Sequence, residues 1–220
     1  MSDQFPVSKK NKVRQLHEYA DYDRATVFRI LDAGLLAQVG FVHEGSAVVV
    51  PMIYGRENDT LFLHGARKAR VIRLLEQNDE ACVNVSLVDG LVYARSAFNS
   101  SMQYRSVTVF GSPQLVEGDT DKLQAMRIIS EHSMPGRWDE LRDPLAKEVK
   151  MTGVISLDIV AASAKESASM PDDEDEDYDI PVWAGVLPLK ATFGNLVNDA
   201  RLLPDVAPSQ AVKSMQKRTL

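Results

Sequence analysis

The sequence predicts a mainly β protein with flanking helices, an antiparallel sheet closed into a barrel. Apolar, β-branched runs follow one another through short turn signals such as Glu44-Gly45, Asn58-Asp59 and Asn99-Ser100-Ser101. Few helical patterns separate them, which argues against a doubly wound α/β fold with its crossover helices. With 45% hydrophobic residues in 220, the chain has apolar material for one large core or two small ones.

Taken in order, residues 1–22 are polar and mixed in charge and read as an N-terminal arm. Asp23 is placed to cap a helix over 24–33, with Val27, Ile30 and Leu31 on one face and Gly34 as its stop. Strands over 35–42 and 47–54 flank the Glu44-Gly45 turn, and Asn58-Asp59 leads into a third strand over 60–64. A helix over about 68–76 carries Val71, Leu74 and Leu75 at helical spacing and ends at Asn78-Asp79.

Residues 81–88 form the next apolar strand, Asp89-Gly90 follows it, and 91–98 continues extended to the turn at Asn99. A long strand is predicted over 106–116. Asp119 or Thr120 then caps a helix bearing Leu123, Met126 and Ile129, and Met134-Pro135-Gly136 breaks the chain. Strands over 152–160 and 182–189 complete the pattern, giving one domain over 23–190 and a tail over 191–220. Within that domain Pro171-Asp-Asp-Glu-Asp-Glu-Asp-Tyr-Asp179 holds seven acidic groups, which repel one another and predict a solvated, mobile loop. A basic patch, on this chain or a second subunit, would order it instead.

Net charge of −6 argues against a general nucleic-acid binder, which needs a basic stripe to release counterions. No apolar run approaches the roughly 20 residues that span a bilayer, and no signal peptide is visible, so the expected location is the cytoplasm. Cys82, the only cysteine, sits in an apolar strand and reads as a small hydrophobe. There is no G-x-G-x-x-G after a strand, no P-loop, no H-E-x-x-H, no Gly-x-Ser-x-Gly elbow, and no metal spacing among His17, His43, His64 and His132. Redox chemistry here would have to come from a bound cofactor.

The segment Leu61-Phe-Leu-His-Gly-Ala-Arg-Lys-Ala-Arg70 is the most suggestive in the chain. An apolar strand enters His64-Gly65, and Arg67, Lys68 and Arg70 crowd the predicted helix start, where cations oppose the helix dipole. An anion shared between these cations and free backbone N–H groups would relieve that opposition, so a phosphorylated ligand is one reading. Three solvated surface cations is the other. Pro51, which can donate no ladder hydrogen bond, marks an edge or bulge beside which backbone groups are free. Tyr104-Arg105-Ser106 adds a cation and hydroxyls, and Trp183 lies beside Gly185. Singly, Tyr54, Tyr104 and Trp183 read as core or interface aromatics rather than ligand contacts, and their value lies in combination.

In collinear order over about residues 14–190, Ile30-Leu-Asp32, Val39-Gly-Phe41, Val50-Pro-Met-Ile-Tyr54, Leu61-Phe-Leu-His-Gly-Ala66 and Asp89-Gly-Leu-Val-Tyr-Ala-Arg-Ser96 form one set. Tyr104-Arg-Ser-Val107, Phe110-Gly111, Pro135-Gly-Arg-Trp138, Ser163-Ala-Lys165 and Pro181-Val-Trp-Ala-Gly-Val-Leu-Pro188 continue it. The set resembles the flavin-nucleotide-binding branch of the pyridoxamine 5′-phosphate oxidase-like superfamily, to which the nitroimidazole-resistance proteins belong.

The resemblance implies an FMN-binding split β-barrel, a six-stranded antiparallel Greek key, that forms a homodimer with flavin at the subunit interface. It implies that Pro51, Met52, Ile53 and Tyr54 run along the flavin ring. His64, Gly65, Ala66, Arg67, Lys68 and Arg70 would lead toward the phosphate, with Trp183 approaching from the partner subunit; Tyr104, Arg105 and Ser106 are the further segment that could complete the site. His64 is the candidate proton donor, and a hydrogen bond within its own turn is the plainer role. No complete pyridoxal-phosphate signature is present, which argues against true pyridoxamine phosphate oxidation. The family pattern has a basic residue shortly after Lys165, where this chain has Glu166-Ser-Ala-Ser169. The expected function is an FMN flavoprotein that moves electrons from a reductant to a small acceptor. Flavin storage or sensing is the alternative, as is a haem-binding barrel with His64 or His132 as axial ligand.

Overall fold

The structure is a computed structural model that describes residues 3–219. Its strands are β1 (Ala20–Asp21), β2 (Ala37–His43), β3 (Ser46–Met52), β4 (Tyr54–Glu57), β5 (Thr60–Ala66) and β6 (Ala81–Tyr93). They continue as β7 (Ser101–Gly111), β8 (Pro113–Leu115), β9 (Thr152–Asp158), β10 (Ala161–Ser167) and β11 (Gly185–Pro188). The helices are α1 (Arg24–Ala33), α2 (Arg70–Glu76), α3 (Asp119–Ser133), α4 (Ala146–Met151) and α5 (Gln210–Gln216). The chain is mainly β with flanking helices, as its turn-linked apolar runs predict, and it divides into two compact units.

One unit comprises the chain up to Gly34 with Cys82–Phe110 and Val160–Lys190. Here β1, β10, β7 and β6 lie side by side, and β11 pairs with β6. The pairs β1–β10, β10–β7 and β11–β6 are antiparallel. Alternation sends Val83, Val85, Val107 and Val109 inward, and α1, lying against β10, buries Val27, Ile30 and Leu31. The limits of α1 match the sequence reading, with Asp23 as N-cap and Gly34 as C-cap. Gly34 is extended at φ −76°, so the helix ends without a left-handed glycine.

The structure refines two sequence expectations in this unit. Asp89-Gly90 does not end the strand over 81–88: β6 runs straight through it to Tyr93. Asp89 is neutralised by Arg105, and Gly90 allows close approach of β11, since a Cβ there would lie 3.1 Å from the Leu187 carbonyl oxygen. The acidic segment, in turn, is docked at its start. Asp173, with its side chain fully buried, accepts from the Arg95 backbone N–H at 2.8 Å and from the guanidinium at 3.1 Å. Arg95 also lies over the Tyr178 ring, 4.6 Å from its centroid.

Burial alone would push the Asp173 carboxyl up, but the Arg95 and Ser96 N–H groups and the guanidinium outweigh it and hold the group below its ordinary 3.8. A carboxyl with a depressed folded-state value contributes stability that is present above pH 3.8 and lost as pH falls through the folded value. Asp173→Asn should release residues 171–179, with proteolytic cleavage there at pH 7 faster on the order of tenfold. Unchanged cleavage would show that the 3-10 turn Asp175–Asp179, with its Tyr178, holds the segment without Asp173.

The other unit comprises Leu35–Ala81, Gly111–Ile159 and the chain from Ala191 onward. β2 and β3 form a hairpin whose turn, Glu44 at φ 51° and Gly45 at φ 75°, has the two positive φ values of a type I′ loop. A four-stranded antiparallel sheet has the order β4-β5-β9-β8, with Asn58 at φ 53° in the β4–β5 turn. α3 lies over β4 and β5, and α2 lies over β5, β8 and β9. Tyr54, Leu61, Leu63, Ile72, Leu75, Ile155 and Leu157 are its fully buried large side chains.

The tail folds back in this unit. Ser209 caps α5 through Val212 N–H, Gln216 Nε2 donates to the Gly194 carbonyl, and Thr192 bridges to Thr219. Gly136, at φ 77° in the predicted Met134-Pro135-Gly136 break, brings the chain close to Ala211.

Candidate cofactor site

Pro51 lies near the end of β3 opposite Gln38, with its side chain exposed. Ile53 falls between β3 and β4, outside either strand, and its side chain is also exposed. Met52 and Tyr54 point the other way and are buried. The Tyr54 ring rests 4.5 Å from that of His132 on α3, which makes it a core aromatic. A ligand along this segment would meet Pro51, Ile53 and backbone, not the Tyr54 ring.

His64 follows from the same alternation. Leu61 and Leu63 fill the core, whereas His64, opposite Val154, is half-buried. Its Nδ1 is buried with no hydrogen-bond partner in the structure. Burial pushes the imidazole below its ordinary 6.5, so the neutral ring is favoured. A neutral imidazole has one N–H and one lone pair, and both suit a cofactor atom or a metal. The expected hydrogen bond from His64 into its own turn is not formed by Nδ1.

The cations beyond it are arranged differently from the sequence reading. α2 begins at Arg70, so Arg67 and Lys68 precede the helix, and only one cation opposes its two-turn dipole. Residues 66–69 form a turn closed by Ala69 N–H to the Ala66 carbonyl, and Arg67 N–H donates to the Met151 carbonyl. Arg67 is paired in bidentate fashion with Glu76 at 3.1 and 3.2 Å, a carboxylate nine residues on. Lys68 and Arg70 are exposed and have no carboxylate partner among the described residues. Gly65 is half-buried, with its would-be Cβ 3.2 Å from Ile72, and Ala66 is exposed.

The remaining candidates sit in the first unit. Arg105 donates Nε and Nη2 to Asp89 at 2.8 and 2.6 Å, and these bonds raise its pKa further. Tyr104 and Ser106 flank it on β7, opposite Ser167 and Lys165, with Ser106 Oγ donating to the Lys165 carbonyl. Glu166, the departure from the family pattern, is bound by Arg29 at 2.5 Å. Trp183 is 66% exposed, packs on Tyr93 at 5.7 Å, and roofs Gly185, where a Cβ would come within 2.9 Å of the indole. Asp89, Glu76 and Glu166 are partners that sequence reasoning missed, because each is distant in sequence from the cation it serves. Among the described residues, no cluster of three or more His, Cys, Asp or Glu side chains could hold a metal ion. No helix among them is long and apolar enough to cross a membrane.

The sequence profile of the family described as pyridoxamine 5′-phosphate oxidase matches residues 23–166. This chain belongs to that family. Its fold is the split barrel of the pyridoxamine 5′-phosphate oxidase family, as the solved relatives also show. The flavocytochrome Anf3 of Azotobacter vinelandii is 38% identical, with TM-score 0.89, covering 94% of this chain and 97% of that one. A FAD and haem binding protein of Mycobacterium smegmatis is 34% identical, with TM-score 0.86, covering 90% and 97%. A candidate 5-nitroimidazole antibiotic resistance protein from Bacteroides thetaiotaomicron shares 26% identity at TM-score 0.54, over 66% of this chain and 85% of its own. No curated protein sequence matches. Within the family the chain is thus more similar to the flavocytochrome than to the nitroimidazole-resistance candidate, the kind of relative its motifs suggested.

Proposed function

We propose that this member of the pyridoxamine 5′-phosphate oxidase family is a redox protein that binds a flavin nucleotide and haem and works as a homodimer. The observation that carries this reading is the near-full-length likeness to a flavocytochrome and to a FAD and haem binding protein, over 94% and 90% of the chain. The motif resemblance alone suggests FMN; the second of these relatives favours FAD.

The residues present fit such groups. Lys68 and Arg70, exposed and without a carboxylate partner, suit a phosphate or pyrophosphate, while Arg67 is occupied by Glu76. Pro51 and Ile53 offer apolar surface against a flat ring. His64 favours the neutral form and has an unpartnered buried nitrogen, which suits an axial haem ligand better than His132, packed against Tyr54. A bound flavin supplies the electron transfer, and the protein supplies position and electrostatics. Leu91 and Tyr93 on β6 and Leu187 on β11, with Trp183 just before β11, are exposed apolar side chains, which supports burial against a second copy.

The purified protein should be yellow, with two visible flavin bands and a Soret band, and anaerobic NADH or NADPH should bleach the flavin. A protein that stays colourless after incubation with FAD, FMN and haemin would overturn the reading. Light scattering should give a dimer, and a flavin-loaded monomer would remove the homodimer from the proposal. Changing Lys68 and Arg70 together to alanine removes two charge-assisted contacts, each worth roughly 1.5–3 kcal/mol. Affinity for the flavin nucleotide should fall more than about tenfold, with little change for riboflavin, which lacks phosphate. Equal losses for both ligands would assign these side chains to the fold.

A further inference from the structure

We propose that the N-terminal arm, residues 8–17, is a binding site for a small molecule carrying two or more phosphate charges. Lys9, Lys12, Val13, Arg14 and His17 line a concave surface of about 600 Å³. That is within the usual size of small-molecule sites, roughly 300–1,000 Å³. Lys9, Lys12 and Arg14 are exposed and have no carboxylate partner among the described residues. Glu18 is an acidic neighbour, 3.8 Å from His17 Nδ1. The chain as a whole carries −6, so this positive surface is local.

What separates the arm from an ordinary solvated basic run is how it is held. Asn11 is 3% exposed, and all four of its amide positions are used. Its Oδ1 accepts from the Ser8 N–H at 2.8 Å and Oγ at 3.0 Å, and its Nδ2 donates to the Pro6 and Ala162 carbonyls at 3.0 and 2.8 Å. The Val13 N–H donates to the Tyr22 hydroxyl at 2.9 Å, and Lys165 Nζ to the Gln15 carbonyl at 3.1 Å. Leu16, at φ 50°, then turns the chain into His17.

Closely spaced like charges favour an extended, disordered run. Here a saturated buried asparagine fixes them around one concavity in irregular backbone. Preorganised cations of this kind lose little entropy on meeting an anion, and a ligand with at least two phosphate charges can engage several of them together.

The test is calorimetry of the full-length protein with pyrophosphate at low ionic strength. The triple variant Lys9→Gln, Lys12→Gln, Arg14→Gln should bind it at least about tenfold more weakly, with an unchanged melting temperature because the three side chains are exposed. Lys147→Gln, Lys150→Gln, Lys213→Gln changes the net charge equally at exposed positions elsewhere and should leave affinity unchanged. Displacement of pyrophosphate by NADPH in preference to NADH would support the site and identify a 2′-phosphorylated dinucleotide as the source. Equal displacement by ADP would support it for nucleotides generally. The proposal is overturned if the parent protein does not bind pyrophosphate, if the arm variant binds it as tightly as the parent, as binding at Lys68 and Arg70 alone would give, or if both triple variants weaken it equally.

Discussion

Replacing His64 with alanine should strip the Soret band from the purified protein and leave the flavin bands in place. His64 is held on β5 between the buried Leu63 and the half-buried Gly65, and its Nδ1 is buried without a partner. Burial keeps the ring neutral, the form that ligates iron. Loss of one axial ligand should lower haem content at least about tenfold, a factor that corresponds to about 1.4 kcal/mol. His64→Asn should do the same, since a side-chain amide is a poor haem ligand. Full haem content in both variants, with flavin reoxidation slowed on the order of 100-fold, would instead make His64 a proton donor.

The same residue sets an acid limit in the cofactor-free protein. Its folded pKa lies below 6.5, so as pH falls below 6.5 the unfolded chain takes up the proton first and stability declines. His64→Asn should flatten that decline when melting temperature is followed from pH 7.5 to 5.

Gly55→Ala should destabilise the protein by about 3 kcal/mol, or roughly 6–12 °C in melting temperature for a chain of this size. A Cβ at Gly55 would stand 2.7 Å from the nitrogen and Cα of Ile129 and 2.8 Å from the carbonyl carbon of Ile128. These are backbone atoms of α3, so no side chain can swing away. β4 would have to lift from α3, carrying Tyr54 off His132. Gly45, with open space around its Cβ position but φ 75°, is the comparison: Gly45→Asn keeps a left-handed residue and should cost far less. Similar melting temperatures for the two variants would show that β4 and α3 separate easily.

Local chemistry was readable where it acts locally. The limits of α1, the Glu44-Gly45 hairpin, the Asn58 turn and the Met134-Pro135-Gly136 break depend on neighbours a few residues apart, and the sequence places each of them. The ordered motifs, from Val50-Pro-Met-Ile-Tyr54 to Leu61-Phe-Leu-His-Gly-Ala66, were enough to indicate the family and its split barrel.

Partnerships across long sequence distances were decided only by tertiary structure. Asp89-Gly90 has the composition of a turn, yet Arg105 and β11 keep it in a strand. The three cations after His64 look alike in sequence, and only Glu76 sets Arg67 apart from Lys68 and Arg70. Seven acidic residues predict a solvated loop until Arg95 takes up Asp173. The tail, featureless by pattern, acquires α5 and an anchor beside Gly136. In each case a charge or apolar face is balanced by a group distant in sequence, and composition alone carries no record of which group folding brings beside it.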